Sequence, residues 1–320
     1  MTLAACMSRL GTESAFEVLA RAKALEAQGR SIINLGIGQP DFPTPDNIVA
    51  AAQKALADGH HGYTPANGIV QLREAVSDDM HAHRGVRVHP DRIVIVPGGK
   101  VTMFFAIQMF GEPGVEIMYP DPGFPIYRSV IEFTGATPVP IPLHEDKGFA
   151  FSAEEVLGQI TARTRLIIVN SPANPTGGVV PQHELDALVK GLERFPDVHV
   201  LSDEIYARMV YDGVPHATML GYPELEDRLI LLDGWSKTYA MTGWRLGYAV
   251  WPRHLVEHAT RLAINIHSCV NAATQWAGIE ALKGPQDAVE RMVAAFDERR
   301  RVILERLNAL PGFRCVRPGG

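Results

Sequence analysis

Lys237 and Arg245 stand eight residues apart in the segment Asp233-Gly-Trp-Ser-Lys-Thr-Tyr-Ala-Met-Thr-Gly-Trp-Arg-Leu-Gly-Tyr248. The segment lies between two branched apolar runs, a poor place for two cations by default. A lysine set among Trp235, Tyr239 and Met241 loses solvation, which lowers its pKa and frees the neutral amine for imine chemistry. Arg245 offers a planar donor fork suited to a phosphate. Three more apolar runs end in complementary groups. Ser202-Asp203-Glu204-Ile205-Tyr206 supplies a carboxylate able to hold a protonated ring nitrogen and, three residues on, a phenol able to reach a phenolic oxygen. Asn170 to Gly177 is a loop stiffened by prolines that presents Asn174. Gly98-Gly99-Lys100 turns into a helix and offers backbone N–H groups and the positive end of a dipole to an anion. Alone, each has a structural explanation: Asp203 as a cap, Asn174 as a turn residue, the glycine pair as a tight turn. Together they supply a phosphate cradle, an imine lysine, a pyridinium partner and phenol-oxygen donors, the set that pyridoxal phosphate requires.

The elements that must position these groups alternate along the chain. Arg92–Val96, Val115–Tyr119, Leu166–Val169, Val198–Leu201, Leu229–Leu232 and Leu246–Val250 are short branched apolar runs that read as buried strands. Helical spacing separates most of them, as in Pro181–Phe195 with Leu185, Leu188, Val189 and Leu192 on one face. Continuous apolar strands between helices predict an α/β fold, a large domain whose mostly parallel sheet is covered on both faces and binds ligands at its carboxyl edge. Residues 14–30 read as a helix. Thr44 followed by Pro45 reads as an N-cap with proline at the first position, opening a helix that stops at Gly59. After Pro252 the pattern is helical over 253–267, 271–283 and 285–310. The expected organisation is an N-terminal arm and part of a small domain at 1–44, a large cofactor-binding domain at 45–252, and connecting helices with the start of the small domain at 253–320. The small domain is expected to be α/β and built from both chain ends, with Phe313–Val316 as the opening of a strand and the remainder beyond the chain.

Composition narrows the function classes. The 320 residues are 46% hydrophobic and 21% charged with a formal net charge of −6, which gives no general attraction to nucleic acid. Arg299-Arg300-Arg301 reads as a solvated helix face. No apolar stretch is long enough to span a membrane, and the first ten residues lack a secretory pattern, so a cytoplasmic protein is expected. Cys6, Cys269 and Cys315 are too few and too scattered for a disulfide framework. Gly36-Ile37-Gly38 lacks the third glycine of a dinucleotide fingerprint, and Lys100 is followed by Val101 where a nucleotide-binding loop needs Ser or Thr. His254-Leu-Val-Glu257-His258 matches a zinc-peptidase pattern, for which two imidazoles on an exposed helix face are the ordinary explanation.

The chain resembles the class I/II, fold-type I aminotransferases of the aspartate aminotransferase type. Gly38-Gln-Pro-Asp-Phe42, Gly62-Tyr-Thr-Pro65, Gly98-Gly-Lys100, Asn170 to Gly177, Ser202 to Tyr206 and Ser236 to Gly247 carry the likeness over essentially the whole length. The resemblance implies that Lys237 holds the cofactor and moves the substrate proton. It implies that Asp203 pairs with the ring nitrogen, Asn174 and Tyr206 bond the ring oxygen, and Phe124 stacks on the ring. Gly99, Lys100, Ser236 and Arg245 would bind the phosphate, and Gly38 the substrate carboxylate through its backbone. Tyr63 would reach the partner subunit's cofactor, implying a homodimer with shared sites. Lys100 also resembles the group that meets a distal carboxylate in the aspartate-preferring branch. The expected reaction moves an amino group between an amino acid, acidic in character, and a 2-oxo acid; a lyase or synthase of the same fold is the alternative, and a cofactor-binding relic without turnover is another. Gly234 stands where the family often has a phosphate-binding serine. The family's arginine for the substrate α-carboxylate has no counterpart before Gly320, so weak transamination is expected of this chain.

Overall fold

The computed structural model describes residues 3–320. The described residues form eleven α-helices: α1 (Ser14–Glu26), α2 (Asp46–Ala57), α3 (Val70–Arg84), α4 (Gly99–Phe110), α5 (Ile126–Thr134), α6 (Ala153–Gln159), α7 (Gln182–Leu192), α8 (Trp235–Thr238), α9 (Arg253–His267), α10 (Ala272–Lys283) and α11 (Asp287–Asn308). Seven strands accompany them: β1 (Ile93–Val96), β2 (Glu116–Asp121), β3 (Thr137–Pro142), β4 (Thr164–Asn170), β5 (His199–Asp203), β6 (Leu229–Gly234) and β7 (Gly247–Val250). They make one sheet in the order β1-β7-β6-β5-β4-β2-β3. β7 alone runs against its neighbours β1 and β6. That reversal matters for the site. The chain leaves β6 at its carboxyl end, makes the lysine loop, and re-enters through β7 at the same edge.

Period-two alternation sends the strand side chains to two faces. Val94 and Val96 join Leu201, Ile230 and Leu232 under α4, α5 and α9. Ile93, Ile95 and Leu231 face the other way, with Ile48 of α2, Leu72 of α3 and Ala277 of α10. Ile167, Val169 and Val200 fill the same side farther along, against Leu185, Leu188 and Val189 of α7. Both faces are covered, so the strands carry no polar alternation.

Four expectations are corrected. Arg300 does not lie on a solvated face: it is buried at 6% exposure and paired with Asp212 and Asp297, while Arg299 and Arg301 are exposed. β3 was not expected at all, because its sequence Thr-Pro-Val-Pro-Ile-Pro holds three prolines. It survives as an edge strand paired only with β2, where missing N–H donors cost no second ladder. Thr44 is not the cap of α2. Pro45 takes that place with no side-chain hydrogen bond, and the Thr44 hydroxyl donates to the Ala240 carbonyl at 2.8 Å and accepts from Trp244 Nε1 at 3.0 Å. Phe313–Val316 is not a strand. Its backbone is instead held by the Asn308 side chain, which bonds both the N–H and the carbonyl of Cys315 at 2.7 and 3.2 Å.

Candidate active site

Lys237 sits in α8, one turn past the carboxyl end of β6. The helix is pinned by Trp235, fully buried, whose indole N–H donates to the Gly278 carbonyl at 3.0 Å. The Lys237 ammonium donates to the Gly38 carbonyl and lies 5.9 Å from the centre of the Tyr206 ring. Burial lowers its pKa; Arg245 and Lys100 add to the fall, while Glu13 and Asp203 oppose it. Gly38 reaches this point because Thr44 ties its segment across the lysine loop through Ala240 and Trp244.

Asp203 ends β5, buried to 5% exposure. The Tyr127 hydroxyl of α5 donates to one of its oxygens at 2.7 Å, and the Ile205 amide to the other at 3.2 Å. Burial raises the carboxyl to about 6 against the pull of these donors, with Asp233 and Glu204 adding negative potential. Asn170, at the end of β4, donates to the Asp203 and Pro172 carbonyls at 3.0 and 3.1 Å and accepts from the Asn174 amide at 2.9 Å. It thereby couples the two strand ends that carry Asp203 and Asn174. Tyr206 lies just beyond, its phenol pushed up chiefly by burial and then by Asp203.

Behind Asp203 lies a sealed ion cluster. Arg84, at the end of α3, donates to Glu204 at 3.0 Å and to Asp233. Glu204 also accepts from His216, Thr218 and the Met219 amide. Burial works to raise Glu204, but His216, Arg84 and the Met219 amide outweigh it and hold it at about 2.

The glycine turn before α4 meets Arg245. Gly98 has φ +92°, and a Cβ there would stand 2.1 Å from Arg245 Nη2, so no other residue fits without moving the guanidinium. Arg245 is itself held by the Thr242 carbonyl at 2.7 Å. The Val101 amide donates to the Gly98 carbonyl at 3.1 Å, and the amides before it belong to the helix start, which leaves them without an intrahelical acceptor. Ser236 is buried beside Lys237. Gly234 has a steric reason to lack a side chain: a Cβ would lie 2.9 Å from the Gly247 Cα and 3.0 Å from the Leu246 carbonyl oxygen. β6 and β7 simply approach too closely there for a serine.

On the open side, Lys100 is paired with Glu13 at 2.8 Å, its ammonium 5.2 Å from the Phe124 ring centre and 5.6 Å from that of Phe16. Phe124 packs edge-on against Tyr127 at 5.8 Å. Tyr63 projects outward at 93% exposure, away from the other residues of the set. His254 and His258 are exposed on α9, Glu257 between them pairs with Arg261 at 2.7 Å, and among the described residues no group of three His, Cys, Asp or Glu side chains is placed to hold a metal ion. The structure thus brings together Gly38, Gly99, Lys100, Phe124, Asn174, Asp203, Tyr206, Ser236, Lys237 and Arg245 at one sheet edge. Tyr127, Asn170 and Glu13 were not singled out from the sequence. Tyr127 is three residues past Phe124, one helical turn, and that spacing was the only available signal.

A mostly parallel seven-stranded sheet with a desolvated lysine at its carboxyl edge is the class of fold on which pyridoxal phosphate enzymes are built. The comparisons narrow the class. Residues 30–320 match the family model for aminotransferase class I and II. The chain is 35% identical over 321 residues to the aspartate aminotransferase of Geobacillus stearothermophilus, covering 100% of this chain and 81% of that protein. The crystal structure of the aspartate aminotransferase from Rhizobium meliloti superposes with a TM-score of 0.94 at 34% identity, over 100% of this chain and 80% of that one. The alanine aminotransferase of Pyrococcus furiosus gives 0.91 at 31% identity, over 100% and 82%. The chain belongs to the class I and II aminotransferases. It is a pyridoxal phosphate-dependent transaminase, moving an amino group between an amino acid and a 2-oxo acid. Among the described residues no helix is long and apolar enough to cross a membrane.

Proposed function

We propose that the amino donor is an acidic, aspartate-like amino acid and that the residues gathered at the sheet edge hold the cofactor. The donor set fits pyridoxal phosphate. A buried carboxylate with lone pairs to spare, Asp203, suits a protonated ring nitrogen. The corner made by Arg245, Ser236 and the first amides of α4, with room kept by Gly98, suits a phosphate. Asn174 and Tyr206 suit the ring oxygen, and Phe124 the ring face. When bound, the cofactor supplies the electron sink that lets the α-proton of an amino acid depart.

The chain's own residues do the rest. Desolvation keeps the Lys237 Nζ a ready base, which would take the α-proton and return it two atoms away, a 1,3 shift. Asp203 keeps the ring nitrogen protonated, and Tyr127 and the Ile205 amide keep Asp203 in place. Gly38 offers its backbone to the substrate carboxylate, and Lys100 meets the distal one. Lys100 carries the assignment of an acidic substrate: its ammonium already holds a carboxylate, that of Glu13, at 2.8 Å on the Phe124 side of the site. The relatives named aspartate aminotransferases support the same reading.

A homodimer with shared sites, in which Tyr63 reaches the partner's cofactor, is supported by the 93% exposure of Tyr63 and by the exposed Phe16, Val18, Ile33 and Leu35. A cytoplasmic location and a division near residues 44 and 252 complete the reading. Absorbance of the purified protein tests it. The visible band is expected to vanish on adding aspartate or glutamate and to return with a 2-oxo acid, and borohydride is expected to fix the cofactor on Lys237. Bleaching by neutral amino acids alone would remove the acidic assignment.

A further inference from the structure

Lys100 occupies the first turn of α4, a place with no acidic residue of its own. The positive end of a helix dipole disfavours a cation there, so an unpaired ammonium is costly. Glu13 supplies the missing charge. It precedes α1 in extended conformation (φ −101°), and Phe16 in the first turn of that helix stands 5.6 Å from the same ammonium. The Glu13 side chain, 20% exposed, is the better buried of the two; Lys100 is 42% exposed. The Glu13 carboxylate also acts on Lys237 and Tyr206, which places its charge within the field of the site itself.

We infer that Glu13 determines specificity by holding Lys100 as an internal stand-in for the substrate's distal carboxylate. The inference rests on the acidic-substrate reading of Lys100 given above. A dicarboxylic substrate must displace Glu13, because two carboxylates facing one ammonium repel each other. A substrate with an uncharged side chain leaves the Glu13–Lys100 pair intact, so Lys100 is never left without a partner. The site therefore accepts both acidic and uncharged amino acids, with its preference for acidic ones reduced by the competition. Without Glu13, the same lysine would favour dicarboxylates more strongly.

Calorimetric titration of the holoenzyme with succinate, a dicarboxylate that lacks an amino group, tests this without turnover; butyrate serves as the monocarboxylate. Glu13→Gln removes the competing charge while keeping the side chain's shape at a partly buried position. It is expected to tighten succinate about two- to fivefold, the size of a partly exposed ion pair, and to leave butyrate unchanged. Lys100→Gln is expected to weaken succinate. If Lys100→Gln weakens succinate but Glu13→Gln leaves it unchanged or weaker, the role of Glu13 is overturned while the acidic reading stands. If Glu13→Gln tightens succinate and butyrate equally, the effect is not charge competition and the inference also fails. If Lys100→Gln leaves succinate unaffected, the acidic reading falls and this inference with it.

Discussion

Asp203 and Glu13 are both carboxylates at the carboxyl edge of the sheet, yet one is sealed into the core at 5% exposure and the other, partly buried, pairs at 2.8 Å with a half-exposed lysine. Asp203 has a fixed donor on each oxygen, a strand beneath it and an ion cluster behind it. Glu13 has one partner and hangs on the arm that leads into α1. The deep side is positioned by the sheet, whose strands cannot shift without breaking the core. The open side is positioned by side chains from a separate segment. Fixed electrostatics suit a cofactor that is always the same; an exchangeable ion pair suits substrates that differ.

The strongest way to break this contrast is to remove the amine shared by both sides. Lys237→Ala is expected to lower the transamination rate by about a thousandfold or more, the scale of a lost general base, while cofactor still binds through the deep side; single-turnover kinetics and absorbance read the two separately. Asp203→Asn is expected next, costing about 3 kcal/mol of barrier as a pre-organised charge is lost.

The same variant tests the deep side through pH. Folded Asp203 titrates at about 6 against 3.8 for an ordinary aspartate, so the native state holds an extra proton between those values. Its contribution to stability is present below pH 3.8 and declines as pH rises to about 6. Glu204 works oppositely: held at about 2 against 4.5, it stabilises above pH 4.5 and loses that contribution as pH falls toward 2. Urea denaturation of the cofactor-free protein at pH 7 should therefore find Asp203→Asn no less stable than the parent. A clear loss of stability at pH 7 would mean that Asp203 is kept for folding rather than for the ring nitrogen.

Tyr127→Phe is a smaller cut on the same side. It deletes one hydrogen bond to a buried charge, worth about 1–3 kcal/mol, and leaves Asp203 a weaker acid. Cofactor affinity is expected to fall, with the pH midpoint of binding displaced upward in a fluorescence titration; an unmoved midpoint would make Tyr127 a packing residue only. The smallest effect belongs to the open side. Thr44→Val removes the ties to Ala240 and Trp244 and is expected to cost about 1 kcal/mol of stability, read by thermal denaturation, and to raise KM for the amino acid more than it lowers kcat, because Gly38 loses its anchor.

Much of this was legible along the chain. Six of the seven strands announce themselves because a strand buried on both faces must be apolar at every position, as Ile93 to Val96 is. The seventh, β3, was hidden by its prolines, which only an edge tolerates, and no local pattern says which strand will be at the edge. The positions of Asp203 and Lys237 past the ends of apolar runs and of Arg245 just before one were legible, because charged groups beside buried strands have no packing reason to be there. Thr44 was misread because a Thr-Pro pair ahead of a helix carries the same local signal whether its hydroxyl caps that helix or reaches another segment.

By itself the sequence determined which residue types stand at the strand ends, and therefore the chemistry available: an amine, a carboxylate, a guanidinium and a glycine turn. The tertiary structure alone decided their condition. Asp203 is a weak acid because it is buried, Lys237 a weak base for the same reason, and burial depends on what the whole chain packs around them. Only the fold brings Tyr127 to Asp203 across 76 residues and Glu13 to Lys100 across 87. Hydrogen bonds and ion pairs act over a few ångströms of space, and spacing along the chain carries no record of contacts made between segments so far apart.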